Sequence, residues 1–170
     1  MDSSTPIINK VAESGILTID LADWVKQEDI ALIDLADFLF EGIVLREKEF
    51  RAKLSETDWM AYAGKWVGMY CSTDAIIQKW AWMLMVKSLH PYTTNVLFAG
   101  PDTIKEAVLL EKINTMDASA YADMRIVIKG CGEKFVTENA YLAISRKLIP
   151  EVKTLMYGEP CSTVPVYKKK

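Results

Sequence analysis

Three observations predict an α/β fold with a mostly parallel sheet. Beyond residue 65, short runs rich in β-branched and aromatic residues alternate with longer runs of helical periodicity, the pattern of βαβ units. The chain has 170 residues, enough to bury one full core and short for two. A hydrophobic share of 51% with 25% charged residues is globular composition, far from that of disordered chains. The reading is one domain over 1–170, with 1–60 less regular and 65–168 carrying the order β-α-β-α-β-α-β.

Taken in order, Arg46 to Leu54 reads as a surface helix with Phe50 and Leu54 on its inner face. Lys65 to Tyr70 reads as a strand, and Asp74 to Leu89 as a helix apolar nearly all round, hence sandwiched between layers. Asn95 to Ala99 is the next strand; a helix to about Asn114 follows, with Thr103 and Glu106 spaced as a capping box. Met124 to Ile128 is the third strand. The helix after it spans Thr137 to Tyr157, with Pro150 kinking or dividing it because proline removes a backbone donor. Thr163 to Tyr167 contains Pro165, which confines that strand to a sheet edge. Upstream, Ile19-Asp20-Leu21-Ala22-Asp23-Trp24 is echoed by Ile33-Asp34-Leu35-Ala36-Asp37-Phe38. Two copies of six residues fall short of a repeat protein, so the echo reads as chance or as two similar strand-to-turn pieces.

A net charge of -3 and a pI near 5.3 leave no basic field for a phosphate backbone, so nucleic acid is not an expected partner. The only basic cluster, Lys168-Lys169-Lys170, reads as a solvated end. The start Met1-Asp2-Ser3-Ser4-Thr5-Pro6 lacks the basic and apolar regions of a signal peptide, and no apolar run approaches the roughly 18 residues of a membrane span. The chain therefore reads as cytoplasmic, away from membranes. Nucleotide-binding glycine patterns, zinc-protease motifs and the hydrolase serine elbow are all missing. The lone histidine, His90, sits in a helix-ending turn, so an enzyme with a cysteine or serine nucleophile lacks an obvious base.

What remains is three cysteines, too few and too widely spaced for a disulfide framework. Ligands of a parallel sheet gather at the carboxyl ends of its strands. Cys71, in Cys71-Ser72-Thr73-Asp74, and Cys131, in Lys129-Gly130-Cys131-Gly132, both fall there and just ahead of predicted helices. A thiol at a helix N-terminus or beside lysine is more readily ionised, and the thiolate is the nucleophilic and metal-binding form. Cys71, Cys131 and Cys161 are thus the candidate metal ligands, for zinc or an iron–sulfur cluster. Ser72, Thr73, Asp74, Lys129, Gly130 and Gly132 are the candidate binding residues. The competing reading makes Cys71 a small buried hydrophobe and Cys131 a loop residue. Cys161 raises a conflict, because a helix over 137–157 returns the chain to the opposite edge of the sheet, where His90 also falls. A break at Pro150 would let residues 151–163 turn back toward Cys131.

Cys71-Ser72-Thr73-Asp74-Ala75-Ile76-Ile77 with Trp80-Ala81, Lys129-Gly130-Cys131, and Met156-Tyr157-Gly158-Glu159-Pro160-Cys161-Ser162-Thr163-Val164-Pro165 together carry a resemblance. So do Asn9-Lys10-Val11, Phe38-Leu39-Phe40-Glu41-Gly42 and Leu45 to Arg51. Across nearly its whole length the chain resembles the bacterial domain-of-unknown-function family numbered twenty-four eighty. One departure is Gln78, where the family pattern carries proline. The resemblance brings no activity. It implies an association with iron–sulfur cluster assembly, through genes encoded nearby, and a protein partner in that process. The resulting expectation is a non-enzymatic accessory protein that handles metal or sulfur. The alternatives are a small-molecule or anion-binding module at helix N-termini, or an interaction protein presenting Trp24, Trp59, Met60 and Tyr62.

Overall fold

Ile126, Val127 and Ile128 are consecutive and all buried, as are Val67, Gly68 and Met69. Burial without alternation means cover on both faces, the mark of a parallel strand inside a sheet. Each of these two strands is the middle of its own parallel set. The computed structural model describes residues 15–129, 132–159 and 162–170. Its seven strands are β1 (Ile16–Asp20), β2 (Ile30–Asp34), β3 (Trp66–Tyr70), β4 (Val96–Phe98), β5 (Arg125–Lys129), β6 (Thr154–Glu159) and β7 (Ser162–Lys168). They form two sheets, β2-β3-β4 and β1-β5-β6-β7, parallel throughout except for the antiparallel β6–β7 pair. The helices are α1 (Glu47–Glu56), α2 (Lys79–Leu89), α3 (Ile104–Thr115) and α4 (Glu138–Leu148). No helix among the described residues is long and apolar enough to cross a membrane.

Two compact units follow from this connectivity. A central unit comprises Val25–Val108, and a terminal unit joins residues up to Trp24 with Leu109–Lys170. The central unit packs α1 and α2 through Phe50 and Leu54, and through Ala81, Met85 and Leu89, spacings that keep each set on one helical face. Its core is rich in rings: Phe38 stacks on Trp59 at 6.2 Å, and Trp80 meets Phe50 edge-on at 5.9 Å. Trp59, considered above for a partner surface, instead belongs to this core, with its indole N–H donating to Leu54 O at 2.8 Å. The terminal unit packs Ala140, Ala143, Ile144 and Leu148 of α4 in the same manner.

The two units share one plan. Residues of the terminal unit match those of the central unit at a constant displacement of 59, from Trp66 to Arg125 in the strands and from Lys79 to Glu138 in the helices. Asp58 and Asp117 each accept from the backbone two residues on, at 3.0 Å, and start matching 3-10 turns. Gly64 and Asp123 both have positive φ. Trp82 and Phe98 form a T-shaped ring pair at 5.1 Å, and their counterparts Tyr141 and Tyr157 form one at 5.5 Å. Lys53 donates to Asp37 O, and its counterpart Lys112 donates to Trp24 O, one position beyond Asp23, the equivalent of Asp37. The first strands obey the plan too, since Ile16 pairs with Arg125 as Ile30 pairs with Trp66. The six-residue echo is therefore a pair of equivalent strand-to-turn pieces: Asp20 and Asp34 each hold the N–H two residues later, and Leu21 and Leu35 are both fully buried.

Several elements differ from expectation. The helix expected from Asp74 starts at Lys79, and residues 71–78 are irregular, with Gln78 still extended. It buries one face only, leaving Met83 71% exposed, so it is not sandwiched. The helix expected over 137–157 ends at Leu148, two residues ahead of Pro150. A strand, β6, follows it and pairs in parallel with β5. The order after residue 65 thus ends in two adjacent strands, with Pro165 in β7 at the sheet edge as expected. The helix over Glu47–Glu56 and its inner face match their prediction.

Candidate functional site

The carboxyl ends of the parallel strands are where the predicted site residues gather. In the central unit β2 and β3 end together, with Asp34 opposite Tyr70. That register sets the Asp34 carboxylate beside the chain as it leaves β3. Its Oδ1 accepts from Ala36 N–H and from Ser72 N–H, both at 3.0 Å. Burial of the carboxyl works to raise its pKa, but hydrogen bonds from the Ser72 side chain and from the Ala36 and Ser72 amides outweigh it and hold the value below the ordinary carboxylate range. Thr73 Oγ1 donates to Gly42 O at 2.7 Å and lies 3.4 Å from Cys71 Sγ. The hydroxyl's one hydrogen goes to Gly42, so the thiol of Cys71 is the donor in that contact.

Cys71 is half-buried and packs against the central core. The helix begins eight positions beyond it, and Asp74 is exposed in the irregular segment between. Helix-terminal stabilisation acts within about one turn, so it does not reach Cys71, Ser72, Thr73 or Asp74. In the terminal unit α4 begins at Glu138, well past Gly132, an exposed residue with φ of 105°. Among the described residues no three His, Cys, Asp or Glu side chains are grouped to hold a metal ion. Gly130, Cys131 and Cys161 lie outside the described residues.

Three consecutive parallel strands of the terminal unit, β1, β5 and β6, end at Asp20, Lys129 and Glu159. Lys129 Nζ lies 3.2 Å from Glu159 Oε1 and 3.7 Å from Asp20 Oδ2. The hydrogen bond and charge of Glu159, with a smaller contribution from Asp20, hold the lysine's pKa above its ordinary value. Gly158, with φ of 119°, pairs with Thr163 of β7 one residue before β6 ends; a Cβ there would lie 2.7 Å from Ser162 O. Only glycine fits that approach. Asp20, Asp34 and Glu159 were not among the residues singled out from sequence. The repeated aspartate of the Ile-Asp-Leu-Ala-Asp echo was the one signal for two of them.

The geometry restores one relationship that the predicted helix had broken. Lys129 and Glu159, the residues that lead into Gly130-Cys131 and Pro160-Cys161, end neighbouring parallel strands on one edge of the sheet. Residues 5–169 match the family model described as protein of unknown function (DUF2480). The chain belongs to the DUF2480 family. The match covers both units of this DUF2480 chain, with all three cysteines inside it. No curated protein and no solved structure matches it.

Proposed function

We propose that this DUF2480 chain is a metal- or sulfur-handling accessory protein, serving iron–sulfur cluster assembly, whose working thiols are Cys131 and Cys161. The ion pair of Lys129 with Glu159 carries the reading. It ties together the strand ends from which both cysteines follow at a distance of two residues, and two residues of chain span at most about 7 Å. A lysine two positions from a cysteine in the chain, as Lys129 is from Cys131, favours the thiolate, the form that attacks a persulfide or binds a soft metal. Two thiolates are half of a tetrahedral zinc set, which suits transfer to or from a partner protein that supplies the rest. In sulfur transfer, a thiolate would bond to the terminal sulfur of a donor persulfide while the donor's S–S bond breaks and its inner sulfur leaves as the thiolate with the bonding pair. Cys71, donating to Thr73 and packed on the central core, has a structural part in this reading.

The test is metal and acid-labile sulfide content of anaerobically purified protein, with sulfane sulfur after exposure to a small persulfide. The expected result is loading that Cys131→Ser and Cys161→Ser each abolish and Cys71→Ser leaves intact. Equal loading of all three variants, or none by zinc, ferrous iron with sulfide, or persulfide, would overturn the proposal.

A further inference from the structure

On one face of the terminal unit's sheet, at the end where β1, β5 and β6 begin, lies a cavity of about 590 Å³. Strand register builds it: Ile16, Arg125, Thr154 and Lys168 form one row across the four strands. A bulge between Leu155 and Met156 then sets Pro165 opposite Met156. Ile16, Met156, Pro165 and Tyr167 give the cavity an apolar wall. Arg125, Lys153 and Lys168 are its charged lining residues, all exposed at the surface, and no carboxylate lines it. The nearby Asp123 is engaged by Lys169 at 2.8 Å. This concentration of cations stands out in a chain of net charge -3.

The shared plan of the two units supplies an independent observation. The central unit has Trp66 and Asn95 at the positions of Arg125 and Thr154, and nothing in its sheet corresponds to β7. The cationic, apolar-walled cavity is therefore peculiar to the terminal unit rather than inherent in the plan.

We infer that this cavity binds an amphiphilic carboxylate, with its apolar body against Ile16, Met156 and Tyr167 and its charged head at Arg125 and Lys153. The volume falls within the ordinary range of small-molecule sites, about 300–1,000 Å³. A guanidinium matches a carboxylate with two parallel hydrogen bonds. The apolar wall requires more of the ligand than charge alone, which separates this class from inorganic anions.

The probe is octanoate, with octanol and acetate as the uncharged and bodiless controls, titrated into the full chain and followed by amide chemical shifts. Octanoate should saturate and move resonances of Thr154, Met156 and Tyr167, with each control at least roughly tenfold weaker. Arg125→Glu with Lys153→Glu should weaken octanoate by roughly tenfold or more at an unchanged unfolding midpoint. Met156→Trp, which fills the cavity, should block octanoate and octanol alike. Absence of saturable octanoate binding, or equal binding by the double charge variant, would overturn the inference. Sedimentation with anionic phospholipid vesicles in the absence of octanoate binding would assign the cations to a lipid surface and overturn it as well. Octanoate binding by the Cys131→Ser/Cys161→Ser variant should match the unaltered chain, so this test stands apart from the thiol proposal.

Discussion

Gly68 is the sharpest point at which packing can be tested. It lies at the middle of β3, paired with Leu32 on one side and Leu97 on the other. A Cβ there would stand 2.7 Å from Ala99 O, 2.8 Å from Ile104 Cδ1 and 2.9 Å from Leu32 Cδ2. Carbon and carbonyl oxygen ordinarily approach to about 3.3 Å, so the backbone oxygen alone must give by roughly 0.6 Å. Leu32 is 37% exposed and can swing aside, but Ile104 is 3% exposed and the Ala99 amide is bonded to Met69 O at 3.1 Å. Overpacking of this kind costs about 1–3 kcal/mol, and loss of glycine's freedom in the unfolded chain returns about 0.5–1 kcal/mol. Gly68→Ala should thus destabilise by about 1–2 kcal/mol. Gly68→Val, which installs the residue found at the equivalent Val127, should cost more. Four of the five tryptophans, Trp59, Trp66, Trp80 and Trp82, lie in the central unit, so fluorescence during urea unfolding reads that unit. With a slope of about 1–3 kcal/mol/M, the midpoint should fall by about 0.5–1 M for Gly68→Ala. An unchanged or higher midpoint would refute the packing argument.

Asp34→Ala should destabilise the central unit by about 2 kcal/mol through loss of the carboxylate that holds the Ala36 and Ser72 amides, with Asp34→Asn recovering part of it. Because the folded pKa of Asp34 is depressed, its contribution is complete above the unfolded carboxylate pKa of about 3.9 and is lost as pH falls through the folded value. The gap between the unaltered chain and Asp34→Ala in urea melts should therefore narrow below pH about 4 and stay constant above pH about 5; a gap that widens on acidification would contradict the assignment. Leu21→Ala and Leu35→Ala remove equivalent, fully buried side chains of the two units, and each should cost about 2–5 kcal/mol. Calorimetry should show comparable losses for the pair, whereas a loss at one position alone would break the equivalence.

Residues with a local physical signature are legible in the sequence. The i, i+4 spacing of Phe50 and Leu54 marks their helix and its buried face, and Pro165 marks a sheet edge. The family is legible in the cysteine-bearing segments, and the match over 5–169 bears it out. Ile76 and Ile77 were misplaced because an apolar run carries no period to separate helix from extended chain. Ile76 is 89% exposed and outside α2. Met156 and Tyr157 were misplaced because they continue a helical pattern that Pro150 interrupts, and only pairing with β5 reveals them as strand.

By itself the sequence determined the α/β class, the parallel character of the strands and the family, since each is written in local composition and spacing. The tertiary structure decided which strands are neighbours. β1 leaves the chain before the whole central unit and pairs with β5, more than 100 residues later, a partnership that no window of sequence contains. From that pairing come the two sheets, the shared plan of the units and the triad of Asp20, Lys129 and Glu159 at one edge. Register between distant strands is set by which apolar faces can be buried together, a property of the assembled chain rather than of any segment.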